Sequence, residues 1–541
     1  MGGNCVKSGE AEIGNLPVDA VFNFPSPLPE WPPGDGFASG VMDLGGGLRV
    51  MQVWSFAKVA AVHYGGEDGL GATFFEPWPI PEGYSLLGSY AQPSNRPLFG
   101  WVLVGSDILP SGDILKQPID YTLISTISTG SNNSEESIHF WLPKPPEGYK
   151  PAGYIVTVSP EKPSLDRIRC VRSDFTDESE IGSSIWGLKV YDSRPKNRGS
   201  GAEQLSVGSF IVITSDSNNQ SWVSCLKNNN FSSSPTPNSI QLDALFRTYS
   251  PYIYFHPKET YLPASVNWYF SNGALLYTKG NESNPSGIDP DGSNLPQGGW
   301  NDGLYWIDLP ASEGDKERVK RGDLQNAEAY LHSKPMLGGA FTDIQLWLFY
   351  PFNGPSIAKL GIIRELPLGR IGQHVGDWEH VTLRISNFNG ILHRVFFSQH
   401  SGGKWTDSSL LEFYQGNKFV GYSSRNGHAS YSKENPNLQG NGVIGLRNDT
   451  AKSDKVLSTG SSFSFVASDA PAWLNYAREW GPQKTYDLGK ELKNLEKFLP
   501  KHLRSALEKL VNSLPSEVFG ERGPVGPKMK ANWNGDEKDD L

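Results

Sequence analysis

Glycine and proline punctuate this chain at close intervals, with 59 glycines and 40 prolines among 541 residues. Both residues interrupt regular structure, so they shorten helices and strands and multiply turns. The chain also carries 16 Trp, 21 Tyr and 26 Phe, and disordered chains lack aromatic side chains of this number. We therefore expect a folded, mainly β protein, and the length favours two or three domains.

The charge and cysteine content exclude some classes of partner and site. The formal net charge is −10 at pH 7, which gives no broad attraction to phosphate backbones, so nucleic acid is not an expected partner. Cys5, Cys170 and Cys225 are too few for a disulfide framework and lack the paired spacing of a structural zinc site. We expect a reducing, cytoplasmic compartment.

Residues 1–19 read as a leader without the apolar core of a signal peptide. Gly2 follows Met1 and precedes small residues, as in N-myristoylation sites, although Val6 stands where that pattern has Ser or Thr. Cys5 offers a second, palmitoyl anchor, and two acyl chains hold a protein on a membrane far better than one. The prediction is acylation at Gly2 and Cys5 with peripheral attachment to an endomembrane or the plasma membrane; the alternative is an unmodified, frayed terminus.

Two segments of the N-terminal part, residues 20–235, repeat with a period of 65 residues. "FFEPWPIPEGYSLLGSY" at 74–90 aligns with "HFWLPKPPEGYKPAGYI" at 139–155, and both contain Pro-Glu-Gly-Tyr. This core is typical of a turn, because Pro fixes φ and Gly permits a positive φ. The sequence predicts an N-terminal β module with two related repeats.

The repeated signature resembles the adaptor-binding repeats of the vacuolar protein sorting 13 lipid-transfer proteins. The resemblance covers fewer than twenty residues per copy. It implies a β module that contacts a protein partner, whereas the residues alone are equally typical of a recurrent structural turn.

The remaining boundaries follow from composition and periodicity. "NNNFSSSPTPNS" at 228–239 is typical of a linker, and a second domain is expected at 236–485. Apolar residues from Leu503 to Val511 recur at helical spacing after Pro500, which predicts C-terminal helices within 486–520 and favours core packing of their apolar faces. The polar tail at 521–541 is predicted to be disordered.

The segment "GQHVGDWEH" at 372–380 gathers two carboxylates and two imidazoles ahead of a strand-like run. Because side chains alternate along a strand, Asp377 and Glu379 are expected on one face, and Trp378 and His380 on the other. Two carboxylates this close are unfavourable unless a cation, a proton or several hydrogen-bond donors compensate.

Two further histidines are expected beside these carboxylates. A hairpin at "NFNG" brings His400 opposite Asp377 or Glu379, depending on the turn. Glycines flank His374 and allow the backbone to direct its imidazole towards the same point. Such ligands suit Mg or Ca, with Mn or Zn as further options. Three interpretations stay open: a metal site that orders a binding surface, a purely structural hydrogen-bonded network, and a metal-activated water for hydrolysis.

"YSPYIYFHPKETYLPASVNWYF", "GQHVGDWEHVTLRI", "FFSQHSGG", "GHASY" and "EWGP" together resemble the plant vacuolar protein sorting-associated protein 62-like family, also filed as plant domain of unknown function 946. Residues 250–482 also resemble the microbial necrosis- and ethylene-inducing-peptide-like proteins, whose heptapeptide is Gly-His-Arg-His-Asp-Trp-Glu. The second resemblance implies a β-sandwich flanked by helices.

In those microbial toxins, residues of a His-x-x-Asp-x-Glu pattern surround a divalent cation. The resemblance maps this pattern onto His374, Asp377 and Glu379. A further toxin aspartate falls on Asn353, which removes one charge. His400 and His428 match later histidines of the toxin pattern.

The function expected from these patterns is that of an intracellular, peripherally membrane-associated binding protein, with a trafficking role implied by the family name. A divalent cation would organise a surface for a lipid or glycan headgroup, with Trp378, Trp405 and His428 as candidate contacts. Catalytic motifs such as a nucleophile elbow or a P-loop are missing from the sequence, so an enzyme is the less favoured class.

Overall fold

The computed structural model describes most of the chain. The described residues are 16–66, 68–129, 136–187, 201–205, 210–213, 223–399, 402–440, 443–466, 470–483, 487–497, 499–512 and 523–539. Gly2, Cys5 and His400 lie outside these ranges, so the predictions for them are not addressed by the structure. The described part is mainly β, as predicted.

The N-terminal part is built from short antiparallel strands. They are β1 (Val41–Asp43), β2 (Leu48–Val53), β3 (Phe56–Val62), β4 (Ala72–Pro77), β5 (Ser85–Leu86), β6 (Tyr90–Pro93), β7 (Val102–Asp107), β8 (Leu115–Lys116), β9 (Asp120–Ser128), β10 (Ser137–Lys144), β11 (Tyr149–Lys150), β12 (Ile155–Thr157), β13 (Cys170–Arg172), β14 (Thr176–Asp177), β15 (Ile181–Trp186), β16 (Gly201–Leu205), β17 (Phe210–Ile213) and β18 (Cys225–Leu226).

The two repeats predicted from the sequence share one strand order. In the first repeat β4 lies between β3 and β6, and β7 lies between β2 and β5; in the second, β10 lies between β9 and β12, and β13 between β8 and β11. Both Pro-Glu-Gly-Tyr segments form the same turn, in which Gly83 and Gly148 have φ of 80° within one degree. The turns are closed by hydrogen bonds from Tyr84 N to Pro81 O and from Tyr149 N to Pro146 O.

A third unit follows that the sequence did not reveal. Strand β16 lies between β15 and β17, and β14 pairs with β18, in the same order as the first two units. Side chains of all three units, among them Phe74, Phe140 and Phe210, pack in one buried cluster. The strand order survives although the Pro-Glu-Gly-Tyr signature does not recur, because burial of apolar faces, rather than the turn, defines the unit.

The C-terminal part contains the remaining strands and the helices. The strands are β19 (Tyr252–Phe255), β20 (Leu275–Thr278), β21 (Ser286–Gly287), β22 (Tyr305–Asp308), β23 (Ala329–Met336), β24 (Phe341–Asn353), β25 (Ile357–Leu360), β26 (Ile363–Pro367), β27 (His374–Ser386), β28 (Leu392–Gln399), β29 (Gly402–Asp407), β30 (Phe413–Tyr414), β31 (Lys418–Ser423), β32 (Ser430–Tyr431), β33 (Asn435–Gly440), β34 (Ile444–Thr450), β35 (Val456–Ser458) and β36 (Phe463–Phe465). The helices are α1 (Ser239–Tyr249), α2 (Val266–Ser271), α3 (Glu313–Lys320), α4 (Leu488–Glu496) and α5 (Lys501–Asn512).

A six-stranded sheet in the order β29-β28-β27-β24-β23-β36 forms the centre of this part. One of its faces packs against the sheet that contains β19, β31 and β35, and their buried side chains form a common core. In β24, for example, Ile344, Leu346 and Leu348 point into this core, as expected for every second residue of a strand. The result is a β-sandwich, and we call the opposite face of the six-stranded sheet its outer face.

Helices α4 and α5 cover a second, four-stranded sheet in the order β26-β25-β34-β33. Leu503, Leu507 and Leu510 of α5 are buried there, so the apolar stripe predicted from the sequence serves core packing. Among the described residues, no helix is long and apolar enough to cross a membrane.

The tail corrects a prediction: residues 523–539, within the segment predicted to be disordered, contact the rest of the chain, and residues 529–539 lie against the outer face of the six-stranded sheet. Trp533 and Glu537 are buried there. The polar composition suggested disorder, but the acidic residues of the tail find buried cationic and amide side chains on the sheet. Composition does not reveal such partners, because they are distant in sequence.

Candidate functional site

The two carboxylates of "GQHVGDWEH" lie on the sandwich-facing side of β27, as strand alternation predicts. Val381, Leu383 and Ile385 continue this side into the sandwich core, whereas Trp378 belongs to the outer-face cluster. Asp377 is buried and Glu379 is half-buried.

A glycine near the start of β27, Gly376, breaks the alternation of side chains. As a result His374 lies on the same side of the strand as Asp377. Gly376 has a φ of +66°, a conformation that glycine adopts readily and other residues resist. A Cβ at this position would lie 2.2 Å from the carbonyl oxygen of Trp480. As a consequence Val375, one residue before the glycine, packs in the outer-face cluster, and its neighbour His374 lies on the side of the carboxylates.

Asn353 lies opposite His374 on the paired strand β24. Its Nδ2 donates to the carbonyl oxygen of Gly372 at 2.8 Å and to that of Gly354 at 3.2 Å. Its buried Oδ1 has no hydrogen-bond partner in the described part of the chain. The amide thus uses its donors on the backbone and leaves an acceptor oxygen without a partner among the described residues.

His428 connects the carboxylates to the neighbouring sheet. Its ring is fully buried and stacks on that of Tyr350, with 3.9 Å between centroids and 11° between planes. Its Nδ1 lies 3.6 Å from Asp377 Oδ2, and its Nε2 lies 2.9 Å from the carbonyl oxygen of Tyr261 and 4.0 Å from Glu259 Oε2. His428 therefore belongs to the site through Asp377.

Glu259 is a third buried carboxylate that the sequence reasoning missed. Its Oε1 accepts hydrogen bonds from the backbone N–H groups of Thr260 and Tyr261, and its Oε2 accepts one from that of Asn426 at 2.6 Å. The signal available in the sequence is that Glu259 is the one acidic residue of the aromatic segment "YSPYIYFHPKETYLPASVNWYF".

Proximity separates the pKa values of the two carboxylates. Burial raises the pKa of Glu379, and the charge of Asp377 raises it further, to about 8, against a hydrogen bond from Ser398 Oγ at 3.0 Å. Burial also opposes the charge on Asp377, but His374 and His428 outweigh it and hold the pKa of Asp377 well below its usual range. Asp377 is thus ionised at neutral pH, and Glu379 carries a proton unless another cation is present.

The pKa values of the two imidazoles, His374 and His428, shift in opposite directions. Burial lowers the pKa of His374, so this ring is neutral at pH 7. Burial also opposes the charge on His428, but Asp377, whose Oδ2 lies 3.6 Å from Nδ1, and the nearby Glu259 raise the pKa above the usual value. Of the two rings, His428 is therefore the one whose charged form the carboxylates favour.

The structure places the two candidate tryptophans away from this site. Trp378 is fully buried on the outer face, where it packs against Phe349, Trp473 and Trp480. Trp405 lies at the edge of the same face, and its Nε1–H donates to the carbonyl oxygen of Glu537. Neither indole can contact a ligand beside Asp377, because alternate positions of a strand face opposite sides. The structure thus places both predicted headgroup contacts, Trp378 and Trp405, on the face opposite Asp377.

The donor set has the chemistry of a cation site but not its geometry. Carboxylates, an amide oxygen and an imidazole suit a hard divalent cation. However, within the described ranges no group of three or more His, Cys, Asp or Glu side chains is arranged to hold a metal ion. His400, the remaining predicted ligand, lies outside these ranges.

Comparison with protein families places this chain. The model of the family described as vacuolar protein sorting-associated protein 62 matches residues 18–537. The chain belongs to this family. Among the curated proteins, none matches it significantly.

Solved structures with a similar arrangement include GNIP1Aa from Chromobacterium piscinae, with 17% identity, a TM-score of 0.27 and coverage of 35% of this chain and 37% of that chain. They also include the Necrosis and Ethylene inducing Protein 2 from the causal agent of cocoa's Witches Broom disease, with 12% identity, a TM-score of 0.21 and coverage of 43% and 76%. NLPPya in complex with mannosamine matches at 13% identity, with a TM-score of 0.20 and coverage of 41% and 72%. The resemblance to the necrosis- and ethylene-inducing proteins is confirmed, and at these scores no functional argument rests on it.

Proposed function

We propose that this protein is a non-catalytic binding protein of vacuolar or endosomal sorting that associates peripherally with a membrane. A divalent cation held by Asp377 and Glu379 would organise a site for a polar lipid or glycan headgroup at the end of the sandwich. Membership of the vacuolar protein sorting-associated protein 62 family supports the sorting role. The cation and the headgroup are supported by the electrostatics of the site alone.

The observation that carries the proposal is the close pair of carboxylates, Asp377 and Glu379, in which His428 compensates Asp377 and Glu379 avoids its charge by holding a proton. Among the described residues, neither carboxylate forms an ion pair with a Lys or Arg side chain, and Lys530 acts on both only through its nearby charge. Burying carboxylates without such compensation costs several kcal/mol per charge. A bound dication would offset this cost and would remove the proton from Glu379.

Asn353 and His374 are the proposed additional ligands. The free Oδ1 of Asn353 is the kind of acceptor that Mg and Ca bind, and the neutral ring of His374 makes Mn or Zn an option. Since these groups do not converge on one point in the structure, cation binding would require a rotation of the Asn353 or His374 side chain towards the carboxylates.

The competing function for these residues is purely structural. His428 bridges Asp377 and Glu259 and stacks on Tyr350, and such a network can fix the position of the two sheets without any ligand. In that case the protein acts as an interaction scaffold, and the protonated form of Glu379 is its resting state.

Calorimetric titration distinguishes these functions. Protein freed of metal by chelation is titrated with Mg, Ca, Mn and Zn ions, beside the variant Glu379→Gln and the control Glu313→Gln, which alters an exposed carboxylate of α3. We expect one ion to bind the wild type and the control with equal affinity and the variant at least tenfold more weakly. If none of the four ions binds the wild type, the structural network is the correct interpretation.

Liposome flotation tests the proposed membrane association separately. Protein purified with its native N-terminus is mixed with vesicles that contain anionic phospholipid or glycolipid, with and without the bound ion. The proposal requires flotation that decreases after chelation in the wild type and is already low in Glu379→Gln. Flotation that is equal in all samples would assign attachment to the N-terminus alone, and no flotation would reject membrane association.

A protein partner is proposed for the N-terminal β module. The turn region of the first repeat exposes Trp78, whose surface is 67% accessible, and exposed tryptophans are enriched in protein interfaces. A photo-crosslinking residue at position 78 is expected to capture a defined protein in cells, whereas the same residue at position 313 is not. Equal labelling at both positions would contradict this assignment.

A further inference from the structure

The outer face of the six-stranded sheet carries a pocket that encloses one carboxylate of the C-terminal tail. Glu537 Oε1 accepts hydrogen bonds from Thr382 Oγ1 at 2.7 Å and Gln345 Nε2 at 3.0 Å, and it lies 3.1 Å from His380 Nε2. Asn532 Nδ2 donates to Oε2 at 2.9 Å. Thr382, Gln345 and His380 are all buried on the sheet. They form a preorganised carboxylate-binding pocket, because their positions are fixed by strand pairing rather than by the tail.

A second acidic residue of the tail meets a guanidinium that is already oriented. Arg384 donates through Nε and Nη2 to the two oxygens of the buried Asp343, at 2.9 and 2.8 Å, and this forked geometry fixes its plane. A further contact runs from Arg384 Nη2 to Asp536 Oδ1 at 2.5 Å. The Arg384 plane also stacks on Trp405, 4.3 Å from the ring centroid.

An aromatic side chain of the tail occupies a third position. Trp533 stacks on His332 with 3.9 Å between ring centroids and 6° between planes, and its ring lies 6.2 Å from that of Trp347. Trp533 precedes Asp536 and Glu537 by three and four residues. The three anchors therefore lie within five consecutive residues of the chain.

The sheet also binds the tail backbone. Lys334 Nζ donates to the carbonyl oxygens of Asn532 and Gly535, both at 2.5 Å, and Gln345 Nε2 donates to that of Asn532 at 2.7 Å. Contacts to carbonyl oxygens do not depend on side-chain identity. They therefore hold the backbone of the tail whatever its side chains are.

Charge complements these contacts. The groove contributes the cations Lys334 and Arg384 and the anion Asp343, a local net charge of +1, on a chain whose overall charge is −10. The bound segment contributes the anions Asp536, Glu537 and Asp539 and the cations Lys530 and Lys538, a net charge of −1. Asp539 Oδ1 accepts from Trp405 N at 2.7 Å, and Lys530 Nζ donates to the carbonyl oxygen of Trp378 at 2.6 Å. Between residues 529 and 539 the described tail forms only short 3-10 turns and pairs with none of the strands of the sheet.

We infer that this groove is a recognition site for an acidic peptide with the spacing Trp-x-x-Asp-Glu, and that the chain's own segment 529–539 occupies it in cis. A partner protein with the same spacing would bind by displacing this segment. The tail thus acts as an intramolecular competitor, which makes partner binding dependent on the strength of the tail contacts. This site is separate from the carboxylate cluster at Asp377, since the two lie on opposite faces of β27.

The test is binding in trans of a labelled synthetic peptide of residues 527–541, measured by fluorescence anisotropy. The full-length wild type is compared with the full-length double variant Asp536→Asn/Glu537→Gln, in which the tail keeps its shape but loses its charges. We expect the peptide to bind the double variant at least tenfold more tightly than the wild type. A peptide that itself carries Glu537→Gln is expected to bind the double variant at least tenfold more weakly than the unaltered peptide.

Two controls make the result decisive. The circular dichroism spectrum and thermal midpoint identify a double variant that has not folded, in which case the milder single variant Asp536→Asn takes its place. The groove variant Thr382→Val, introduced into the double variant, is expected to reduce peptide binding. If neither tail variant binds the peptide more tightly than the wild type, or if the Gln peptide binds as well as the acidic one, the inference is wrong.

Discussion

Replacing Glu537 by Gln should loosen the tail without removing its apolar anchor. The carboxylate accepts several hydrogen bonds in a buried pocket, and Gln keeps nearly the same volume. Its amide, however, offers a donor where the pocket already supplies donors, so at least one buried group loses its partner. An unsatisfied buried polar group costs about 1–3 kcal/mol.

The pKa of Glu537 gives an independent magnitude. Burial opposes the charge on Glu537, but the hydrogen bonds from the His380 and Thr382 side chains outweigh burial and lower the pKa from 4.5 to about 2. Since one pKa unit corresponds to about 1.4 kcal/mol, the ionised carboxylate stabilises the docked tail by about 3 kcal/mol.

The depressed pKa also fixes the direction of the pH dependence. A group whose pKa is lowered by folding stabilises the folded state above its unfolded value, so this contribution is complete above about pH 4.5 and is lost as the pH falls towards 2. The titratable groups that surround Glu537 are His380, whose own pKa is lowered by burial, and Lys334, Arg384, Asp343 and Asp536. Lys334 and Arg384 remain protonated through this window, so they do not produce the change themselves.

Native-state hydrogen exchange measures this contribution locally. In peptides that cover residues 523–539, Glu537→Gln should reduce amide protection at pH 7 by about 100-fold, which is the equivalent of 3 kcal/mol. The control Glu508→Gln, an exposed carboxylate on α5, should leave protection unchanged. Equal protection of the tail in wild type and Glu537→Gln would refute the assignment of a stabilising carboxylate pocket.

Three further predictions address the rest of the molecule. Gly376→Ala should lower the unfolding free energy by about 2 kcal/mol or more in denaturant titrations. The left-handed φ of +66° and the carbonyl oxygen of Trp480, 2.2 Å from the new Cβ, both oppose this side chain. An unchanged midpoint would contradict this. Trp533→Ala should cost about 3–5 kcal/mol in the same assay, as for other buried aromatic residues. Gly83→Ala and Gly148→Ala should each cost about 1–2 kcal/mol and nearly the same amount, since each has a φ near +80° with nothing within 4 Å of a new Cβ; clearly unequal effects would contradict the equivalence of the two turns.

Much of the local structure could be predicted from sequence, because it depends on neighbouring residues. The Pro-Glu-Gly-Tyr turns, the mainly β content and the apolar stripe of α5 all follow from short-range rules. The faces of Asp377 and Trp378 follow from strand alternation as well. The third β unit was missed because its turn signature is absent and only its strand order repeats.

Which residues make up the site could be seen only in the tertiary structure. Glu259 and His428 are 169 positions apart in the sequence, yet His428 Nε2 lies 4.0 Å from Glu259 Oε2 in the folded protein. No local pattern links such residues. The free oxygen of Asn353 is visible only once its amide donors are seen to bind the backbone.

The C-terminal tail shows most clearly what the sequence determined and what the tertiary structure determined. The sequence by itself determined that residues 521–541 are polar, carry many charged residues of both signs and contain one tryptophan, and for an isolated segment that composition predicts disorder. Only the tertiary structure supplied the partners Lys334, Gln345 and Arg384. They lie on three adjacent strands of the sheet, β23, β24 and β27. The physical reason is that a charged segment becomes ordered when buried partners compensate its charges, and those partners come together only when the sheet forms.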